Sequence, residues 1–433
     1  MAPTRRSTEG LLARVNFPLY TVQMLTSRHV LVAGGGGSAN TGVANGFEIF
    51  ELAHNGKRFV AEEVIRHETG RSVVMNCAAH SNGRRTYLVA GQESHCQLYI
   101  VNMKVVDASE KIIPPVENET NNSETRKRKK SEREGDNSNN QDQKEKIDSN
   151  SNCYRKLQFE IKPNDSVQTD FSEDEPVQRV VCVGRSGKLM ATGGTDGHVR
   201  LWEFPTLKKK LDVKAHTKEV DDLHISPNEH WVASISKDGR LVIWNSETGK
   251  KVRELTWSVP EGVKYLYKRC RFALLEEDVC KSRLFSITNP VGRLGKHKAY
   301  LQLWDPHDGS LKKTAPCSES LSALAVSDNG KFVAVGTMFS GSVSIYIAFS
   351  LQRVLHVDEA HSMFVTGLEF LPQSLDGPPI TSTSETAVVS ISVDNKVCIH
   401  SLDYRSTLPF WVAVLLVVVT MFCAFTLCSY LGI

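Results

Sequence analysis

The sequence predicts an all-β protein, a seven-bladed β-propeller, carrying one C-terminal transmembrane helix. Three observations lead there. Short apolar runs recur along most of the chain, bounded by Gly, Asp, Asn and Ser turns, as in an all-β fold. Two neighbouring units share one pattern, and their closing residues Trp202 and Trp244 are 42 positions apart. That period lies in the range of a four-stranded propeller blade. Finally, the segment from Ser406 to Ile433 holds no charged residue.

The clearest unit runs Val180-Val-Cys-Val, then Leu189-Met-Ala-Thr-Gly-Gly-Thr-Asp-Gly, then His198-Val-Arg-Leu-Trp202. The next starts at Ala215-His216, continues through Val220 and Trp231 to Asp238-Gly239, and ends at Leu241-Val-Ile-Trp244. A His before the first strand, an Asp-Gly turn and a closing Trp within one period are the grammar of a WD repeat. Downstream, Tyr300 to Asp305 closes one blade. Leu321 to Val326, Lys331 to Gly336 and Ser342 to Ile347 make another, and Val365 to Leu371, Thr386 to Val393 and Lys396 to Leu402 make the last. Upstream, Phe17 to Leu25, Val30 to Ala33 and Phe47 to Glu51 form a first blade, and Val73 to Ala79, Thr86 to Gly91 and Cys96 to Val101 begin a second. The last blade is one strand short. A run near Leu11 to Asn16 is expected to supply that strand and close the ring, which removes exposed sheet edges.

Between about 104 and 168 the pattern fails. Glu117 to Ser151 is rich in Asn, Ser, Glu, Lys and Arg and nearly free of apolar residues. Such a stretch cannot bury enough surface to offset its ordering entropy, so a disordered insertion in the second blade is expected. It contains the basic run Arg126-Lys-Arg-Lys-Lys130, which reads first as a solvated charge run and second as an import or phosphate-binding patch.

The uncharged C-terminal segment is dense in Val, Leu, Phe and Met from Leu408 to Leu431. A bilayer core of about 30 Å needs about 20 apolar helical residues. Trp411 and Tyr430 lie near its ends, where amphipathic rings favour the interface. The expected organisation is a propeller over 1–403 facing the cytosol and an anchor over 404–433 with its span at about 408–431. Ten cysteines are scattered without a C-x-x-C pair, which suits buried thiols in a reducing compartment. A net charge of +3 is too small to argue for nucleic acid as the main partner.

No G-x-x-x-x-G-K-[ST] loop, G-x-S-x-G elbow or H-E-x-x-H pair occurs. The sequence therefore offers no site for covalent chemistry, and a non-enzymatic role is expected. His216 and His361, at blade starts, read as structural hydrogen-bonding residues. One segment breaks the blade grammar. The stretch 34–46, Gly34-Gly35-Gly36-Gly37-Ser-Ala-Asn40-Thr41-Gly42-Val43-Ala-Asn45-Gly46, separates the second and third strands of the first blade. A hairpin needs only two to five residues there, and four consecutive glycines carry a large ordering cost. Such a loop suits a place where the backbone itself must act, by pointing carbonyls at a cation or by lying flat against a partner.

Several long motifs then carry a resemblance. They are Phe17-Pro-Leu-Tyr20, the Ala33 to Gly37 loop with Thr41-Gly42 and Asn45-Gly46, Gly91-Gln-Glu-Ser-His95-Cys96-Gln-Leu98, Gln168-Thr-Asp-Phe-Ser172, Ala191 to Gly197 and Gly341 to Leu351. Together with the anchor they resemble the prolactin regulatory element-binding protein family of animals. Those proteins are WD-repeat guanine-nucleotide exchange factors of the endoplasmic reticulum for the Sar GTPase, which starts COPII coat assembly. The match runs over nearly the whole chain apart from the insertion.

The resemblance implies exchange activity on Sar and an endoplasmic-reticulum membrane location with the propeller in the cytosol. No nucleic-acid partner is expected, on the apolar span, the near-neutral charge and the lack of a groove-reading motif. It implies that the glycine loop binds a potassium ion and is applied to the GTPase near its nucleotide. Carried onto this sequence, the exchange loop is Gly34, Gly35, Gly36, Gly37, Asn40, Thr41, Gly42, Val43 and Asn45, with Gly37, Asn40 and Thr41 as candidate potassium ligands. Two other readings stay open on the residues alone: a membrane-tethered scaffold without exchange activity, and a DNA-binding regulator that uses Arg126 to Lys130 as a nuclear signal.

Overall fold

The computed structural model describes residues 4–6, 10–38, 42–82, 85–108, 154–260, 262–275, 278–292, 297–373, 384–404 and 410–431. Among these, strands fall into seven sheets, each with four antiparallel strands winding outward from an inner to an outer strand. Blade 1 comprises Leu19–Met24, His29–Gly35, Asn45–His54 and Phe59–Glu68. Blade 2 comprises Asn76–Ser81, Thr86–Gln92, His95–Ala108 and Tyr154–Gln168. Blade 3 comprises Gln178–Val183, Leu189–Gly194, His198–Glu203 and Lys208–Lys214. Blade 4 comprises Val220–Ile225, Trp231–Ser236, Leu241–Asn245 and Lys251–Leu255. Blade 5 comprises Lys264–Leu275, Asp278–Val291, Ala299–Trp304 and Leu311–Cys317. Blade 6 comprises Leu321–Val326, Phe332–Thr337, Val343–Ile347 and Arg353–Asp358, with Thr4–Arg6 added in parallel at its outer edge.

Blade 7 has three strands from the end of the propeller, Val365–Phe370, Ser384–Ser392 and Lys396–Asp403. Its fourth is Leu11–Arg14, which pairs antiparallel with Lys396–Asp403. The ring closes as the sequence predicts. The join is packed as well as paired: Phe17, Leu19, Val22, Val30 and Phe50 share one buried cluster with Leu371, Val389, Ile391 and Ile399. The two ends of the ring therefore bury a common apolar core, which drives closure.

Blade 2 departs from the sequence reading. Its fourth strand, Tyr154–Gln168, lies inside the stretch of about 104–168 that the sequence assigns to the insertion. Phe159 and Ile161 alternate into the core at 3% and 7% exposure, a period-two signal too short to stand out among charged neighbours. The residues from 109 to 153, including Arg126 to Lys130, lie outside the described residues. The chain divides into two compact units, Met1–Asn102 with Phe159–Ile433, and Met103–Gln158.

Blade grammar has a physical basis in hydrogen bonds. In blade 4, Trp244 Nε1 donates to Ser234 Oγ at 2.8 Å, and the same oxygen meets His216 Nε2 at 2.7 Å. His216 Nδ1 lies 3.0 Å from Asp238 Oδ2. Burial holds His216 in its neutral form, lowering its pKa. Blade 7 builds the same chain with one change: His361 meets Asp394 and Ser390, and His400 stands where blade 4 has Trp. Both histidines hold structure, as the sequence predicts. The cysteines also follow expectation: Cys77, Cys96, Cys270, Cys317 and Cys398 are buried and free, and burial pushes the thiols of Cys77 and Cys96 up to about 12.

The C-terminal helix, α1, spans Phe410–Leu431. Its window Val414–Leu431 has a mean hydropathy of 2.4 and none of it is buried. At ~1.5 Å per residue the helix matches a bilayer core. Its threonine hydroxyls are satisfied within the helix, Thr420 by Val417 O at 2.8 Å and Thr426 by Cys423 O at 2.9 Å.

Candidate functional site

Strand direction sorts the connections onto two faces. The inner strands run side by side around the axis. Within each blade the first-to-second and third-to-fourth turns therefore share one face, and the second-to-third turns share the other with the links between blades. The glycine loop is a second-to-third connection, so it stands on the face that also carries the inter-blade links.

Its root is built from close backbone approaches. Gly34 pairs with Gly46, and Gly35 with Asn45. A side chain at Gly34 would collide with the Pro18 carbonyl, and one at Gly46 with the carbonyl of His67. Gly35 has φ +144°, and a side chain there would strike Asn45. These positions need glycine for contact rather than for mobility.

Asn45 holds the root together. It is 4% exposed. Its Oδ1 accepts from Gly37 N–H at 3.0 Å, while its Nδ2 donates to Gly37 O at 3.1 Å and to Gly70 O at 3.0 Å. Its own carbonyl accepts from Thr69 N–H at 3.0 Å. One buried carboxamide thus ties the start of the loop, its end and the next inter-blade link into one unit. The loop emerges from a fixed base.

Of the exchange-loop residues predicted from sequence, Gly34, Gly35 and Asn45 belong to this base, within strands. Gly36 and Gly37 are half-buried at the departure, and Gly42 and Val43 are exposed on the return. Asn40 and Thr41 lie outside the described residues, so two of the three candidate potassium ligands are not placed. The third, Gly37, directs its carbonyl at Asn45. The sequence counted Asn45 in the loop but not as its clamp; its position directly before Gly46 at a strand start was the available signal.

No titratable group belongs to residues 34–46. His67, beside the root, is packed against Phe47 and Tyr99, and burial lowers its pKa. The polar atoms at the base are neutral oxygens and amides. Around the loop, the same face exposes large apolar side chains from its connections: Val43 at 36%, Met75 at 43%, Phe171 at 52%, Phe339 at 51% and Met363 at 49%. Apolar side chains spread over one face of a propeller suit a protein partner.

Fold and site together define a class, a WD-repeat propeller that presents a rooted glycine loop and carries an apolar helix. Comparison with known proteins agrees. The WD domain, G-beta repeat family matches residues 168–203 and 207–245. The chain is 35% identical over 421 residues to the mouse guanine nucleotide-exchange factor SEC12, covering 96% of this chain and 95% of that one. The rat protein of the same name is 34% identical over the same length, and SEC12-like protein 1 of Arabidopsis thaliana is 27% identical over 48% of the chain. The chain belongs to the SEC12 family of guanine nucleotide-exchange factors.

Proposed function

We propose that this chain catalyses GDP/GTP exchange on the Sar small GTPase at the endoplasmic-reticulum membrane, and so starts COPII vesicle formation. The observation that carries this reading is the glycine loop, too long for a hairpin, set on a rigid base and surrounded by exposed apolar side chains. A scaffold needs apolar surface but has no use for a polyglycine projection.

Exchange requires no covalent step. The propeller binds the nucleotide-free GTPase more tightly than the GDP form, and linkage makes it weaken GDP by the same factor. The apolar side chains on the loop face hold the GTPase, and residues 36–44 reach toward its nucleotide. The Asn45 clamp keeps that reach from dissipating in loop motion. GTP then refills the site and releases the propeller. Helix α1 fixes the event to a membrane, where an amphipathic segment freed on the GTPase would insert.

The base of the loop also fits potassium. Its donors are the neutral oxygens of Gly37 and Asn45, each with a lone pair to spare, and Asn40 and Thr41 add two more oxygens in sequence. Neutral oxygens suit a monovalent cation. A bound cation would supply positive charge and hold the carbonyls of the loop in one arrangement.

The binding asymmetry is directly measurable. Full-length protein in detergent should bind nucleotide-free Sar GTPase at least roughly tenfold more tightly than the GDP-bound form, a difference of ~1.4 kcal/mol. Equal affinity for the two forms would refute exchange and leave a tethered scaffold.

A further inference from the structure

The face opposite the glycine loop carries a charge pattern that the exchange reading does not use. In blades 1 to 3 its turns present Arg28, Lys57, Arg58, Arg85, Arg185 and Lys188, all exposed. The fourth strand of blade 3 starts at the same face with Lys208, Lys209 and Lys210, also exposed. Among the described residues these turns contain no acidic residue; in the strands beside them, exposed Glu203 pairs in register with Lys208, and Lys209 Nζ lies 3.6 Å from Asp212 Oδ2. The nearest carboxylate from blade 4, Glu229, accepts hydrogen bonds from Ser186 N–H and Oγ at 2.6 and 2.8 Å. On the glycine-loop face of the same blades the balance reverses: Glu93, Asp170, Glu173, Asp174, Glu175, Asp196 and Glu219 lie in the connections, against Arg71 and Lys218.

The basic turns are fixed presentations, not frayed tips. Asn55 Oδ1 accepts from the N–H groups of Lys57 and Arg58 at 3.1 and 3.0 Å, and Asn82 Oδ1 accepts from Arg85 N–H at 2.8 Å.

Chain direction says what this face meets. The third strand of blade 7, Lys396–Asp403, runs away from the glycine-loop face and ends on the basic one. Helix α1 begins at Phe410. Residues 404–409 are six positions, able to reach roughly 20 Å when fully extended. Blade 7 packs directly against blade 1, so the basic sector starts beside the exit point. A helix that enters a bilayer therefore keeps this face within that reach of the lipid surface.

We infer that the basic sector of blades 1 to 3 is a docking surface for anionic lipid headgroups of the membrane that α1 enters. The inference rests on the anchor reading of α1. The consequence is an orientation: the propeller lies with its basic face down, and the glycine loop stands one strand length away, ~20 Å, turned to receive its partner.

Lysine footprinting tests it. Full-length protein is reconstituted into vesicles of phosphatidylcholine, with and without phosphatidylserine, floated, then acetylated and read by mass spectrometry. Phosphatidylserine should slow labelling of Lys57, Lys188 and Lys208 to Lys210 by roughly fivefold or more. High salt should restore it, and Lys218 and Lys264 on the loop face should not change. Equal labelling in both vesicles, or equal protection of both faces, overturns the docking surface while leaving the anchor intact. Failure of the chain to float with phosphatidylcholine alone overturns the anchor reading, and the docking surface with it.

Discussion

At the scale of single residues, the loop is governed by contacts at its root. Asn45→Ala removes three side-chain hydrogen bonds and leaves half-buried Gly37 groups unmet, so it should cost about 1–3 kcal/mol in urea denaturation. Its effect on GDP release should be larger, on the order of tenfold or more, because the clamp positions the whole projection. A second residue-scale prediction concerns Glu369, which lines the central cavity of about 320 Å³ with Arg271 and His224. Burial pushes its carboxyl up to about 7, against the pull of Arg271. The unfolded value is lower, so the native state holds the proton more tightly, and stability is lost as pH rises from about 4.5 to 7. Glu369→Gln removes that loss. Its melting temperature should exceed wild type at pH 8 by more than at pH 5; an equal shift at both would contradict a raised pKa.

The four glycines were legible in sequence as a departure from hairpin length, but their reason was not. Read as a string they signal freedom. In the fold, Gly34 and Gly35 lie in a strand and are small because Pro18 and Asn45 are close. Such an approach depends on partners distant in sequence, which no local pattern records.

At the scale of elements, each blade is held by a hydrogen-bonded chain crossing its strands. Ser234 serves two partners, so Ser234→Ala strands both Trp244 Nε1 and His216 Nε2. We expect a loss of about 2–3 kcal/mol in urea denaturation, and Ser390→Ala in blade 7 should cost about the same through His361 and His400. If either variant is neutral, the chain of bonds is not what secures the blade. In blades 3 and 4 the first three strands were read from sequence because both carry an Asp-Gly turn and a closing Trp, and blade 4 also has His216; the fourth strands, Lys208–Lys214 and Lys251–Leu255, were not read. Blade 7 was read in all three of its C-terminal strands although His400 replaces the Trp, whereas in blade 2 the strand Tyr154–Gln168 was missed. A strand whose pattern rests on Phe159 and Ile161 alone gains its identity from pairing, not from its own composition.

At the scale of the whole molecule, closure and anchorage set the architecture. The closing strand was predicted near Leu11 because the last blade lacked one, an argument from topology that needs no strong local pattern. Deleting residues 1–14 should bare the edge of Lys396–Asp403 and part of the shared core of blades 1 and 7. The truncated chain should melt at a lower temperature and elute as oligomers in size exclusion, as an open edge invites pairing. A monomer with unchanged melting would mean that the core alone closes the ring.

The central claim joins all three scales: a closed propeller presents a clamped glycine loop that empties the nucleotide site of a GTPase. It is tested most directly by the rate of fluorescent GDP release from Sar GTPase with full-length protein in potassium buffer, compared with Asn40→Ala and Gly35→Pro variants. The account predicts fast release by wild type and release near the rate of the GTPase alone with either variant. Release no faster than the GTPase alone with wild type, or undiminished release with both variants, would contradict it.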